Sequence, residues 1–372
     1  MKRFCILTGA LVCVAVIMTI PACKKDNNNP APPPSYTVPT TYNFTDADSL
    51  NAKTYLSMLG EMEAAINRAN TAGVTVSSSQ LTNMFANQGN FFTDTVFSGF
   101  TLDLNNSGFN LKSAMDPAAQ VVVTNILDSV GADSQTGATA SNGVAGVSDR
   151  KTLLGANGIF WRQFFTKTMM GAFIAHQITD VYLGDSLNSG ISVAAKKHAW
   201  DQAFFFWCVP SNFPANRTGV KYWGSYTSQV DSGIIKPVTS LTGINANVTL
   251  LKAFLKGRAA LANNDNATAL QQAAIIIPFF ETMEAAAALH ELNEAKGNIP
   301  NGAAAVCGNL SESIGFWTAL NFNNHKKISV ADYQSVLSLY GTNFYEVTPA
   351  GIDSIQNKIS SIYGWDAIKS NL

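Results

Sequence analysis

Apolar residues recur along this chain at intervals of three and four, and strand-like alternation is scarce, so the chain can fold only as packed helices. Leu50, Tyr55, Leu59, Met62 and Ile66 keep that rhythm from a capping-box-like start at Thr45-Asp46-Ala47-Asp48 to a stop at Gly73. Further helices are predicted at 81–86, 116–131, 150–183, 193–209, 221–230, 248–262, 267–296, 303–322, 330–340 and 351–369. The third of these can be interrupted between Gly155 and Gly158. Residues 89–108 read as a long irregular loop and 132–147 as a flexible one. Several helices carry bulky side chains on two faces, as in Ile159-Phe160-Trp161 with Phe164-Phe165, and need neighbours on more than one side. An all-α, compact multi-helix bundle follows, as one domain or two bundle halves. With 47% hydrophobic and only 13% charged residues, a large core is available to it.

The amino terminus predicts export. Met1-Lys2-Arg3 precedes an apolar run from Phe4 to Ile20, and Ile20-Pro21-Ala22-Cys23 resembles the lipobox at which bacterial lipoproteins are cleaved and lipidated. The run is at the short limit for a retained membrane span; an ordinary signal peptide with a chance cysteine is the alternative. The polar, proline-rich residues after Cys23 cannot bury a core and read as a tether. The expected division is a signal peptide at 1–22, a lipidated Cys23 and tether at 23–37, and a helical domain at 38–372. The expected location is the outer membrane, at its surface or periplasmic face. Of the five cysteines, Cys208 and Cys307 remain in the domain, either as buried thiols or as a disulfide. With Lys2 and Arg3 removed, acidic residues slightly outnumber basic ones and no basic block is left, which argues against nucleic-acid binding.

Ionisable residues on apolar stripes are the candidate site. Ala273, Ile276, Phe280, Met283 and Ala287 share a face that, continued by three and four residues, reaches His290 and Glu294. His176 follows Phe165, Met169 and Phe173, with Asp180 one turn on. Ala194, His198, Asp201 and Phe205 form a third stripe, and Glu312 interrupts a fourth. Buried ionisable groups must be paired or hold a ligand. His290, Glu294, Glu312, His198, Asp201 and His176 therefore read either as metal ligands converging between helices, suited to iron or zinc, or as separate hydrogen-bonded core features. The run His290-Glu291-Leu292-Asn293-Glu294 lacks the second histidine of the zinc-protease motif. No nucleophile elbow, phosphate-binding glycine loop or Cys-x-x-Cys pair is present, so no enzyme activity is indicated.

Four segments together resemble the DUF4856 family of Bacteroidetes lipoproteins. They are Thr41-Tyr42-Asn43-Phe44, Lys167-Thr168-Met169-Met170-Gly171-Ala172, His198-Ala199-Trp200-Asp201-Gln202-Ala203-Phe204 and Leu310-Ser311-Glu312-Ser313-Ile314-Gly315-Phe316. That family is similar to imelysin-like proteins, and the resemblance implies a helical envelope protein in metal or haem uptake. The imelysin Gly-x-His-x-x-Glu signature is not found: Asn293 stands three residues after His290. The expectation is a non-enzymatic binding protein for a metal, metal complex or similar small ligand in uptake. A glycan-binding or scaffold lipoprotein partnering an outer-membrane transporter, with an aromatic platform at Tyr222, Trp223 and Tyr226, and a metal-dependent hydrolase, are the alternatives.

Overall fold

The computed structural model describes residues 36–93, 95–97, 100–232, 246–367 and 369–372; the expected signal peptide, Cys23 and most of the tether lie outside them. Tyr36 to Leu372 make one compact unit. The Tyr36 hydroxyl already donates to Asp265 Oδ2 at 3.1 Å.

The architecture is all-α. Its helices are α1 (Leu50–Arg68), α2 (Ser78–Phe85), α3 (Pro117–Ser134), α4 (Trp161–Met169), α5 (Val193–Phe206), α6 (Tyr222–Ser232), α7 (Ala246–Ala262), α8 (Asn266–Gly297), α9 (Ala303–Leu320), α10 (Val330–Leu339) and α11 (Pro349–Tyr363). Among the described residues, strand is confined to two antiparallel pairs, β1 (Thr95–Phe97) with β2 (Phe100–Leu102) and β3 (Gly146–Val147) with β4 (Leu153–Leu154).

Most helix starts obey local chemistry. Asp116 accepts from Ala118 N with Pro117 at the first helical position, and Ser192, Asp265, Ser329 and Thr348 cap α5, α8, α10 and α11 in the same way. Each such cap contributes about 1 kcal/mol. Helix α1 departs from the capping-box expectation because the acids at its predicted start are engaged elsewhere. Asp46 binds Arg258 at 2.6 Å, and Asp48 accepts the Leu50 amide at 2.9 Å, so the helix begins at Leu50. The helix expected from residue 150 begins at Trp161, since Leu153 and Leu154 pair with β3 and Gly158, at φ +84°, turns the chain.

Helix α4 then runs into π-helical turns over Met170–Ala175 and Gln177–Asp185. Such widened turns are uncommon and usually short, and they often mark functional or strained positions. The lost regularity is partly compensated: Trp223 Nε1 donates to Met170 O at 2.7 Å.

The long helix α8 is apolar enough to cross a bilayer by length and composition, yet it is mostly buried within the body, packed along α7 and α9. The small residues Ala285–Ala288 let α9 approach, and Ser313 Oγ reaches Ala288 O at 2.7 Å. Around it one core holds four fully buried tryptophans, Trp200, Trp207, Trp223 and Trp317. Every indole N–H among these four is satisfied, with Trp200 donating to Phe254 O at 2.9 Å, Trp207 to Thr227 Oγ1 at 3.1 Å and Trp317 to Tyr333 O at 3.1 Å. Cys208 and Cys307 are both buried free thiols, so the disulfide alternative does not hold.

Candidate functional site

Helix α4 reads Trp-Arg-Gln-Phe-Phe-Thr-Lys-Thr-Met, and its polar residues fall in two adjacent i, i+4 rows, Arg162 with Thr166 and Gln163 with Lys167. This polar face is turned toward α1, α6, α8 and α9. Lys167 Nζ lies 3.0 Å from Glu312 Oε2, and Gln163 donates to Glu312 Oε1 at 2.6 Å. The ammonium also lies 5.1 Å and 5.5 Å from the ring centroids of Tyr226 and Phe316, within range of a cation–π attraction.

Glu291 of α8 completes this set. It accepts from Tyr226 at 3.3 Å and from Asn309 at 2.9 Å. Burial, followed by the charge of neighbouring Glu312, pushes its carboxyl up to about 8, against the pull of Lys167 and Asn309.

The second row meets Glu63 of α1. Tyr222 donates to Glu63 Oε2 at 2.9 Å, while Glu63 Oε1, Arg162 Nε and Thr166 Oγ1 are buried without a hydrogen-bond partner. Burial raises the Glu63 carboxyl, and Tyr222, Thr166, Arg162 and Lys167 draw it partly back. Undersatisfied polar atoms gathered at one place are uncommon in a packed interior.

Arg162 also lines an open groove of about 760 Å³, between the end of α1 (Asn67, Thr71), the β3–β4 region (Thr139, Lys151) and Phe160. That volume is within the range of small-molecule sites. Arg162, of the row that meets Glu63, is the one member of the buried acid–base set that lines this groove.

The residues expected to converge are instead divided among separate sets. Asp201 is buried and accepts from Arg258 Nε and Tyr42 Oη, each at 2.7 Å. His198 is half-exposed and contacts Asp48 Oδ2 at 3.0 Å. His176 Nδ1 is 2.8 Å from Asp180 Oδ2, and that carboxylate also takes the Asn324 amide at 3.0 Å, with His325 at 3.8 Å. Glu294 is exposed, which corrects its inward placement, whereas His290 is half-buried with its Nδ1 buried and unpartnered. From Ala287 the buried face of α8 continues through Ala288, Glu291, Leu292 and Ala295, about 100° round from the predicted path. Only Glu312 of the six belongs to the set built around Lys167 and Glu291. Among the described residues, no three His, Cys, Asp or Glu side chains are arranged to hold a metal ion.

The proposed aromatic platform is also absent, since Trp223 and Tyr226 are buried and Tyr222 is bound to Glu63. Glu63, Arg162, Lys167 and Glu291 were missed by the search for histidine stripes. The available signal was charge inside apolar helices: Lys167 among Phe and Met, and Glu291 in an Ala- and Leu-rich run.

No curated protein and no solved structure matches the chain. One family profile matches residues 39–366, most of the 372-residue sequence, and its description is "Domain of unknown function (DUF4856)". The chain belongs to the DUF4856 family.

Proposed function

We propose that this protein is a bacterial envelope lipoprotein, anchored in the outer membrane through lipid on Cys23, that binds a small polar ligand without transforming it. The lipobox-like Ile20-Pro21-Ala22-Cys23 supports the anchor. An uptake role rests on the resemblance to imelysin-like proteins and is part of the same proposal.

One observation carries the binding reading: a groove of about 760 Å³ that Arg162 lines, with Arg162 Nε itself buried and unpartnered. Nε itself has no surface a ligand can reach, but the guanidinium makes no other hydrogen bond or ion pair among the described residues, so an acceptor in the groove would pair with its outer nitrogens. The dispersal of the predicted metal ligands favours a small molecule, free or as a metal complex, over a bare ion. The proposal is one of binding rather than catalysis.

Thermal unfolding of the full chain in detergent micelles, with neutral sugars, sugar acids, amino acids, ferric chelates and zinc salts added in turn, tests the reading. A bound ligand at a hundredfold excess over Kd stabilises by about 2.7 kcal/mol. The expected result is a rise in Tm with at least one class that is lost in Thr139→Trp, where the groove is filled. No rise with any class, or a rise unchanged in that variant, ends the reading. A zinc response abolished by His176→Ala instead of Thr139→Trp would return the site to the histidines.

A further inference from the structure

Resting on the lipid anchor of that reading, we infer that the body docks on anionic lipid headgroups through the end where α7 turns into α8, and so holds the groove clear of the membrane. The argument begins where the tether ends. Only residues 24–35 separate Cys23 from Tyr36, a length that spans about 45 Å at most when fully extended. Tyr36 is seated at the α7–α8 turn, where its hydroxyl donates to Asp265 Oδ2 at 3.1 Å. The chain then enters α1 against α5, with Ala52 N donating to Gln202 Oε1 at 2.8 Å. From that point α1 runs for 19 residues, about 28 Å, and the groove begins only at its far end, with Asn67, Asn70 and Thr71. The length of α1 thus separates the groove from the place where the tether leaves the body.

Charge at the tether exit selects the occupant. Lys196 Nζ reaches Asn266 Oδ1 at 3.0 Å, which puts its ammonium beside Asp265 and Tyr36. Lys252 and Lys256 stand one turn apart on the exposed side of α7 that leads to the turn, and neither makes a hydrogen bond or an ion pair among the described residues. The acids of this end are already engaged. Asp46 takes Arg258 at 2.6 Å and also Lys197, Asp201 takes Arg258 at 2.7 Å, and Asp265 caps α8 by accepting from Thr268 N at 3.0 Å. Three lysines are therefore set against the single charge of Asp265. Val38, two residues after Tyr36, and Val193, three before Lys196, are exposed as well and add apolar surface. An anionic membrane attracts each nearby lysine, by about fivefold in favour of the docked pose. The anchor keeps the body at an effective concentration on the order of millimolar, so a weak surface of this kind is enough to set its orientation.

The lipidated full chain, reconstituted in vesicles of equal parts phosphatidylcholine and phosphatidylglycerol and, separately, of phosphatidylcholine alone, tests the inference. A fluorophore is attached to one introduced cysteine, either Ala267→Cys beside the turn or Thr71→Cys in the groove, both exposed positions, while Cys208 and Cys307 are buried. The lipid headgroups carry a nitroxide quencher. In the anionic vesicles the label at 267 is expected to be quenched about threefold or more above the label at 71; the two should become nearly equal in neutral vesicles, in about 1 M salt, and in Lys196→Gln/Lys252→Gln/Lys256→Gln at an unchanged Tm. Equal quenching in the anionic vesicles, or stronger quenching at 71, overturns the inference and leaves the anchor intact. A difference that survives in neutral lipid or in the triple variant overturns it too, because charge then does not hold the pose. Chain that fails to float with the vesicles overturns the anchor reading and this inference together.

Discussion

Asp201 shows what a buried charge in this molecule is for. Its carboxylate takes Arg258 Nε and the Tyr42 hydroxyl, and Arg258 goes on to Asp46, so one side chain fastens the amino-terminal segment and α7 onto α5. Burial raises the Asp201 carboxyl and Arg258 draws it back. Removing one partner of a buried pair leaves the other uncompensated at a cost of about 3–5 kcal/mol. Because Arg258 keeps Asp46 as a partner, Asp201→Ala is expected to lower urea-unfolding stability by no more than that amount, and Arg258→Met combined with it to recover part of the loss. Equal losses in the single and double variants would show that packing, not charge, is what matters there.

Glu291 makes a prediction that depends on pH. Its folded value of about 8 lies above the ordinary 4.5, so it binds more protons folded than unfolded. Its stabilising contribution is complete below pH 4.5 and is lost as pH rises toward 8. Wild type is expected to lose on the order of 3 kcal/mol more than Glu291→Gln between pH 5 and pH 8, read from urea midpoints at several pH values. Parallel curves for the two proteins would mean that Lys167 holds the carboxylate ionised throughout.

At the scale of the element, close approach decides what composition leaves open. A Cβ on Gly257 would lie 2.0 Å from Trp200 Cζ2, so α5 and α7 meet with an indole pressed on bare backbone. Gly171, in the π-helical segment, would place its Cβ 2.0 Å from Glu284 Oε1 and 2.4 Å from Ala319 Cβ. Glu284 is fully buried with neither oxygen partnered; burial, then Glu281 and Asp180, push its carboxyl well above the usual range. Overpacking of this kind costs about 1–3 kcal/mol. Gly257→Ala and Gly171→Ala should each destabilise by that amount, although alanine is the better helix former; unchanged Tm values would mean that Trp200 and Glu284 move aside freely.

Helix existence was legible at this scale and helix register was not. The spacing predicts a helix over 267–296, and α8 runs from Asn266 to Gly297. Extending its inward stripe by a three-then-four step sent it to His290 and Glu294, whereas packing against α6 and α9 selects Glu291. Where Ala, Leu and Met surround a helix on most sides, apolar spacing no longer marks a single face, and a step of one residue turns the side chain by about 100°.

For the whole molecule, the amino terminus makes the prediction. Cys23→Ala is expected to abolish incorporation of labelled palmitate and to release the protein from the membrane fraction, with the helical content of the body unchanged. Retained labelling would place the lipid on another residue. A reducing agent should leave Tm unaffected, because Cys208 and Cys307 are unbridged.

The sequence by itself determined the helical class, the approximate extent of most helices and the family, because periodicity and motif residues are local properties of the chain. Only the tertiary structure decided which charges meet. Glu63, Arg162, Lys167, Glu291 and Glu312 come from α1, α4, α8 and α9, and no spacing within one helix can say what lies across from it. The physical reason is that a side chain's direction is set within its own helix, whereas its partner is set by how several helices share one core.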